Sequence, residues 1–199
     1  MKLVLATNNR DKIREIRQAL AGLDVTIMTA DDFDDFPEIE ETGATLEDNA
    51  VLKAEGIFKA TGLPSLADDS GIEVDYLDGA PGVYSSRYAG PGCTYDDNNR
   101  KLLKALDGVP WEKRTARFRC VIAVCFAEGD TVTVEGKVEG YIAEKKSAAK
   151  GGFGYDPVFF YPPLGKTFAD LPLTEKNRVS HRGKALKAAE KVIQDRLKR

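Results

Sequence analysis

Two apolar runs, Phe118 to Phe126 and Thr131 to Val138, flank Glu128-Gly129-Asp130, and this pairing constrains the fold more than any other feature. A short turn joins only antiparallel neighbours, so the segment predicts a β-hairpin. Elsewhere strand-like and helix-like runs alternate. Lys2 to Ala6 reads as a short buried strand, and the loop Thr7-Asn8-Asn9-Arg10 opens a helix with apolar positions Ile13, Ile16, Leu20 and Leu23, ending near Gly22. Val25 to Met28 reads as a second strand, followed by an acidic loop from Asp31 to Glu41. Thr45 with Asp48 forms a capping-box signature for a helix through Ala60 that Gly62 closes, and Thr94 with Asp97 repeats it before a helix ending at Gly108. Ser65 to Ala67 and Pro157 to Tyr161 read as further strands, and Lys184 to Leu197 as a final amphipathic helix. Mixed strand directions with interspersed helices predict an α/β fold around one twisted mixed β-sheet flanked by helices. With no repeat, low-complexity tract or linker in 199 residues, the expected organisation is one domain over 1–199.

Composition narrows the function classes. The formal net charge is −3, so the chain lacks the broad basic face expected of a nucleic-acid or anionic-membrane binder. Phosphate binding must therefore rest on a few aimed groups. The apolar start, Leu3 to Ala6, is too short for a signal-peptide core or a membrane span. The three cysteines, Cys93, Cys120 and Cys125, form no CxxC pair, and Cys120 and Cys125 fall in a strand-like apolar run that suits small core residues. A reducing cytoplasm is the expected location.

The chemistry-bearing run is Ala67-Asp68-Asp69-Ser70-Gly71, where the apolar stretch from Leu63 is expected to end in a serine-glycine turn. Ionised carboxylates are costly to bury without partners. Asp68 and Asp69 suit a hard cation such as Mg²⁺, and either could orient or deprotonate a water; the alternative is a solvated turn. The acidic pair Glu40-Glu41 is a second source of ligands. Neighbours in an extended segment point to opposite faces, so only one of the two is expected to reach a site shared with Asp69; the alternative is a solvated acidic loop.

Three further segments point to a nucleotide. Thr7-Asn8-Asn9-Arg10-Asp11-Lys12 stands at a helix start, where free N–H groups favour an anion, yet Arg10, Lys12 and Arg14 crowd the same end. A bound polyanion resolves that conflict; simple Asn capping is the alternative, and no Walker A loop is present. Gly151-Gly152-Phe153-Gly154-Tyr155-Asp156-Pro157 sets an aromatic among glycines, so Phe153 can stack on a base while Asp156 accepts from a ring N–H or amino group; the alternative is a plain glycine-rich turn before a strand. Lys176 and the run Ser180-His181-Arg182-Gly183 offer donors suited to phosphate or to purine keto oxygens, and they equally suit helix capping. His181 is the only histidine, so no multi-His metal site can be built, and a lone histidine is more often structural than catalytic.

Taken in order, these motifs together with Glu40-Glu41-Thr42-Gly43 and Gly79-Ala80-Pro81-Gly82-Val83-Tyr84-Ser85 resemble the inosine triphosphate pyrophosphatase family, over essentially the whole chain. The family's small-Gly-Asn start reads Thr-Asn-Asn here, and Asn tolerates left-handed backbone better than most residues. The resemblance implies an elongated two-lobed fold with a substrate cleft between lobes, a homodimer, and Mg²⁺-dependent hydrolysis of the non-standard purine nucleotides ITP, dITP and XTP to the monophosphate and pyrophosphate. It implies Thr7 to Lys12 at the phosphates, Asp69 as proton acceptor, and Glu40 with Asp69 at the metal, with Glu41 the competing ligand. Ser70, Phe153, Gly154, Tyr155, Asp156, Lys176, His181 and Arg182 are implied as substrate contacts.

On that basis the expected reaction is in-line attack of water on the α-phosphorus, with Lys12 and Mg²⁺ offsetting charge on the phosphate oxygens. His181 and Arg182 would welcome a 6-keto oxygen and oppose the 6-amino group of adenine. A pyrophosphatase for other modified nucleotides, or a non-catalytic nucleotide-binding regulator, are the rival readings.

Overall fold

The structure, a computed structural model, describes residues 1–198. In chain order its elements are β1 (Lys2–Leu5), α1 (Arg10–Ala19), β2 (Thr26–Met28), α2 (Leu46–Thr61), β3 (Ser65–Val74), α3 (Tyr95–Ala105), β4 (Thr115–Ala127), β5 (Asp130–Ile142), β6 (Phe159–Tyr161), β7 (Lys166–Thr167), α4 (Leu173–Val179) and α5 (His181–Leu197). The strands form one sheet in the order β2-β1-β3-β4-β5-β6-β7. β1 runs parallel to β2 and β3, whereas β5, β6 and β7 are antiparallel, so the sheet is mixed as the sequence predicts. Glu128 and Gly129 alone separate β4 from β5, and Gly129 takes the positive φ of +72° that such a tight turn needs.

The chain divides into two compact units. The first comprises Met1–Asp69, Cys120–Gly136 and the chain from Arg182 onward; the second comprises Ser70–Arg119 and Lys137–His181. In the first unit, Leu3 and Leu5 of β1, Leu66 of β3 and Ile122 of β4 pack against Ile16 and Leu20 of α1 and Leu186 and Ile193 of α5. Ser65, the neighbour of Leu66 in β3, faces the other way and donates its hydroxyl to Ala54 O of α2 at 2.6 Å. Helices therefore cover both faces of β3 here. In the second unit, Phe118, Phe159 and Phe168 form the centre of a core that also takes Ile72, Leu102 and Leu106.

The starts of α2 and α3 follow the sequence reading, and the end of β3 does not. Thr45 and Thr94 cap α2 and α3 through reciprocal bonds with Asp48 and Asp97, and Gly62 closes α2 at φ +67°. The expected exit from β3 at Asp68 does not occur: Ser70 and Gly71 continue the strand to Val74. A strand covered on both faces loses its alternation, and Asp, Ser and Gly are weak strand formers, so the pattern hid its length. Gly71 is required there because a Cβ would press into Gly82 O. The short helix α4 and strand β7 were not foreseen, and α5 starts at His181 rather than Lys184.

Candidate functional site

In the first unit, the loop between β1 and α1 is shaped by its own polar groups. Thr7 Oγ1 accepts from Asn9 N at 3.2 Å, and Asn9 Oδ1 caps α1 by accepting from Asp11 N and Lys12 N at 2.9 and 3.3 Å. Asn8 is exposed and its φ is not positive: among the described residues Asp78 alone has a positive φ without being glycine. Arg10 is exposed, and Arg14 pairs with Asp11. Lys12 turns inward, its Nζ 3.1 Å from Asp68 Oδ2.

Because Asp68 and Asp69 are consecutive in β3, their side chains leave by opposite faces. Asp68 enters the α1 and α5 side, where Arg182 donates to Oδ2 from Nε and Nη2 at 3.2 and 3.1 Å. The same guanidinium donates from Nη1 to Glu15 Oε2 at 3.0 Å. Burial alone would raise the Asp68 carboxyl, but Lys12, Arg182 and Lys53 hold it well below the usual carboxylate range.

Asp69 faces α2. Asn49 Nδ2 donates to its Oδ2 at 3.2 Å, and Lys53 Nζ lies 3.4 Å from its Oδ1. Lys53 also donates to Asp68 O at 2.8 Å and to Glu41 Oε1 at 2.7 Å. Burial raises the Asp69 carboxyl above the ordinary aspartate value; Lys53 opposes the shift and the like charge of Glu41 reinforces it. Such a group holds a proton more readily than a surface aspartate. A pocket of about 190 Å³ opens here, with Thr7, Asn8, Lys12, Glu41 and Lys53 in its wall. Glu40 is exposed and does not line it.

The second unit gathers the aromatic group of candidates. Asp156 Oδ2 accepts from Phe153 N at 2.8 Å and from Lys176 Nζ at 2.7 Å, and Lys176 and Asp156 are each 3% exposed at the side chain. Lys176 Nζ also lies 4.7 Å from the centre of the Phe153 ring, a cation–π contact, and Tyr95 packs on that ring at 6.1 Å. Gly154 O accepts from Asn99 Nδ2 at 2.9 Å, while the buried Tyr155 hydroxyl donates to Ser85 O at 2.8 Å. Ser70 is half-buried in β3. His181 stacks on Phe118 with centroids 4.4 Å apart and planes 10° apart.

Comparison with protein-family models matches residues 3–192 to the Ham1 family. The chain belongs to the Ham1 family. It is similar to the dITP/XTP pyrophosphatase of Geobacter sulfurreducens, 53% identical over 93% of this chain and 92% of the relative. The dITP/XTP pyrophosphatase of Desulforamulus reducens is 50% identical over 97% of this chain and 96% of the relative. Among solved structures, a HAM1 protein from Coxiella burnetii superposes with a TM-score of 0.90 at 42% identity, covering 98% of this chain and 99% of that one.

In this Ham1 chain the sequence reading missed Asn49 and Lys53, both supplied by α2. The signal was present: Leu46, Ala50, Ala54 and Ile57 form the helix's buried stripe, and Asn49 and Lys53 sit inside it at i and i+4. A lysine on an apolar stripe requires a buried partner, which makes it a site candidate. Among the described residues, no group of three or more His, Cys, Asp or Glu side chains is arranged to hold a metal ion. Mg²⁺ commonly takes only one or two protein carboxylates, with substrate phosphates and water completing its shell. Asp69 with one glutamate of the 40–41 pair would supply that number of carboxylates.

Proposed function

We propose that this Ham1 family chain hydrolyses the non-standard purine nucleoside triphosphates ITP, dITP and XTP to the nucleoside monophosphate and pyrophosphate, clearing them from the nucleotide pool. The observation that carries this reading is the half-identity, over more than nine-tenths of the chain, to two dITP/XTP pyrophosphatases. The raised Asp69 carboxyl within one cluster with Lys53 and Glu41 supports it chemically.

In the proposed reaction, water attacks the α-phosphorus and the bond from that phosphorus to the pyrophosphate oxygen breaks. Asp69 accepts the proton of the attacking water. Lys12 and the positive end of the α1 dipole offset charge on the phosphate oxygens, with Thr7, Asn8, Asn9, Arg10 and Asp11 forming the rest of that loop. Mg²⁺, when bound by Asp69 and Glu40, would supply further charge neutralisation; Glu41, engaged by Lys53, is the alternative ligand. For the base, Phe153 is proposed as the stacking surface and Ser70, Gly154, Tyr155, Asp156, Lys176, His181 and Arg182 as further contacts. Asp156 and Lys176 hold each other, and Arg182 holds two carboxylates, so these three enter the reading as pre-set groups rather than free arms.

The proposal extends to one pyrophosphatase domain over 1–199, acting as a homodimer in the cytoplasm without nucleic-acid or membrane partners. Among the described residues no helix is long and apolar enough to cross a membrane.

The test is a panel of ITP, dITP, XTP, GTP, ATP and modified pyrimidine triphosphates, with and without Mg²⁺, and with both products identified. Monophosphate and pyrophosphate from the first three, lost on chelation, are expected. Equal activity on ATP would overturn the assigned substrate class, and nucleotide binding without turnover would turn the reading to a regulator. Mg²⁺ titrations of Glu40→Gln and Glu41→Gln assign the second ligand.

A further inference from the structure

Asp68 has no assigned part in the reaction proposed above, yet it is the most enclosed charge in the first unit. Its side chain is 0% exposed, against 4% for Arg182, 5% for Glu15 and 17% for Lys12. On this face Asp68 and Glu15 meet Lys12 and Arg182. A single oxygen, Oδ2, receives Lys12 Nζ together with Nε and Nη2 of Arg182. The far end of the guanidinium is fixed by Glu15 at 3.0 Å.

These contacts differ in what they allow. Arg182 is gripped from two sides by buried carboxylates, and a planar guanidinium so held has little freedom. Lys12 is the most exposed member of the four and is tethered to Asp68 by one ammonium contact on a flexible stem. If Lys12 turned toward an anion at the start of α1, Asp68 would keep Arg182 as its counterion and stay charged in place. The opposite face of the strand carries Asp69, so the two neighbours serve different elements: Asp69 meets α2, and Asp68 meets α1 and α5.

We propose that Asp68 is a positioning residue: its buried carboxylate, braced by Arg182 and Glu15, sets the Lys12 ammonium beside the Thr7–Lys12 loop for transfer to the substrate's phosphates. The inference rests on the pyrophosphatase reading and adds a residue to it. Its physical content is pre-organisation. A lysine stem free in solvent must be ordered in the transition state, and misplacement of about 1 Å can cost roughly a hundredfold in rate. Asp68 also competes with phosphate for the same ammonium, so its removal should not weaken ground-state attraction for a polyanion.

The test compares Asp68→Asn, Lys12→Met and the double variant, with kcat measured on ITP and inorganic tripolyphosphate binding measured by calorimetry. For Asp68→Asn, kcat should fall roughly ten- to a hundredfold, with tripolyphosphate affinity unchanged or tighter. The double variant should be within about threefold of Lys12→Met alone, because both changes remove one device. A kcat near wild type, weakened tripolyphosphate binding, or losses that multiply in the double variant would overturn the assignment. If Asp68→Asn does not fold, Asp68→Glu keeps the charge and displaces it by one methylene, and the same fall in kcat without weaker binding is required of it. Wild-type protein inactive on ITP, dITP and XTP would overturn the pyrophosphatase reading, and this inference with it. An active wild type with independent losses overturns this inference only.

Discussion

Asn49 links Asp69 to the backbone that follows the acidic loop. Its Nδ2 donates to Asp69 Oδ2 at 3.2 Å, and its Oδ1 accepts from Gly43 N at 2.7 Å. One buried carboxamide thus fixes a carboxylate in β3 and the chain three residues after Glu40. Truncation to Asn49→Ala should lower kcat by about ten- to a hundredfold through a mis-set general base. Asn49→Asp should do something different. A like charge disfavours the ionised form of Asp69, so the base stays protonated to higher pH and the acid limb of the pH–rate profile moves upward. A profile unchanged in Asn49→Asp would show that Asp69 is not the group titrating in that limb.

Asp69→Asn removes the proposed proton acceptor while keeping size and a hydrogen-bonding group opposite Asn49 and Lys53. Turnover of ITP should fall by roughly two to four orders of magnitude, with substrate affinity changed far less. Steady-state kinetics with direct binding measurements separates the two effects, and near-normal turnover would remove Asp69 from its role.

Lys176 and Asp156 form a buried pair at 2.7 Å. Removing one partner strands the other charge, so Lys176→Met should destabilise the fold by about 3–5 kcal/mol. Asp156→Asn should also destabilise it, because Phe153 N and Lys176 lose a charged acceptor. The double variant should lose less than the sum of the two, which denaturant titration of all three proteins would establish.

Burial pushes the Cys120 thiol up to about 12, with the nearby Asp68 charge adding to the shift and Arg182 opposing it. The reactive thiolate is therefore a minute fraction at pH 8, and it grows only as pH rises toward that value. Cys125 is buried and raised in the same direction, whereas Cys93 is half-buried. A thiol reagent at pH 8 should modify Cys93 first and reach Cys120 only after unfolding, as peptide mapping would record. Rapid labelling of Cys120 in native protein would contradict its enclosure.

Much of this was legible in the linear chain, for reasons that differ by element. The caps Thr45–Asp48 and Thr94–Asp97 are local, so three or four residues suffice to announce them. The β4–β5 hairpin declares itself through a turn and flanking apolar runs. The length of β3 did not, because its facing helices and the segment against Gly71 come from elsewhere in the chain. The same holds for the site. Lys12, Asp68 and Asp69 stand in motifs, but the pairing of Lys12 with Asp68 and the part of Lys53 depend on strand alternation and on a helix stripe that only folding aligns. Glu41 rather than Glu40 facing Lys53 depends on one residue of phase in an irregular loop, which composition does not encode.

The route of the chain through its two units has a consequence for heredity. The backbone passes from one to the other within β3, β4 and β5 and again at the junction of His181 with Arg182, so neither unit corresponds to an uninterrupted stretch of gene. A stop codon at Arg182 would strip the first unit of nearly all of α5 while leaving every residue of the second in place. Exchange of one contiguous gene segment therefore cannot replace either unit whole.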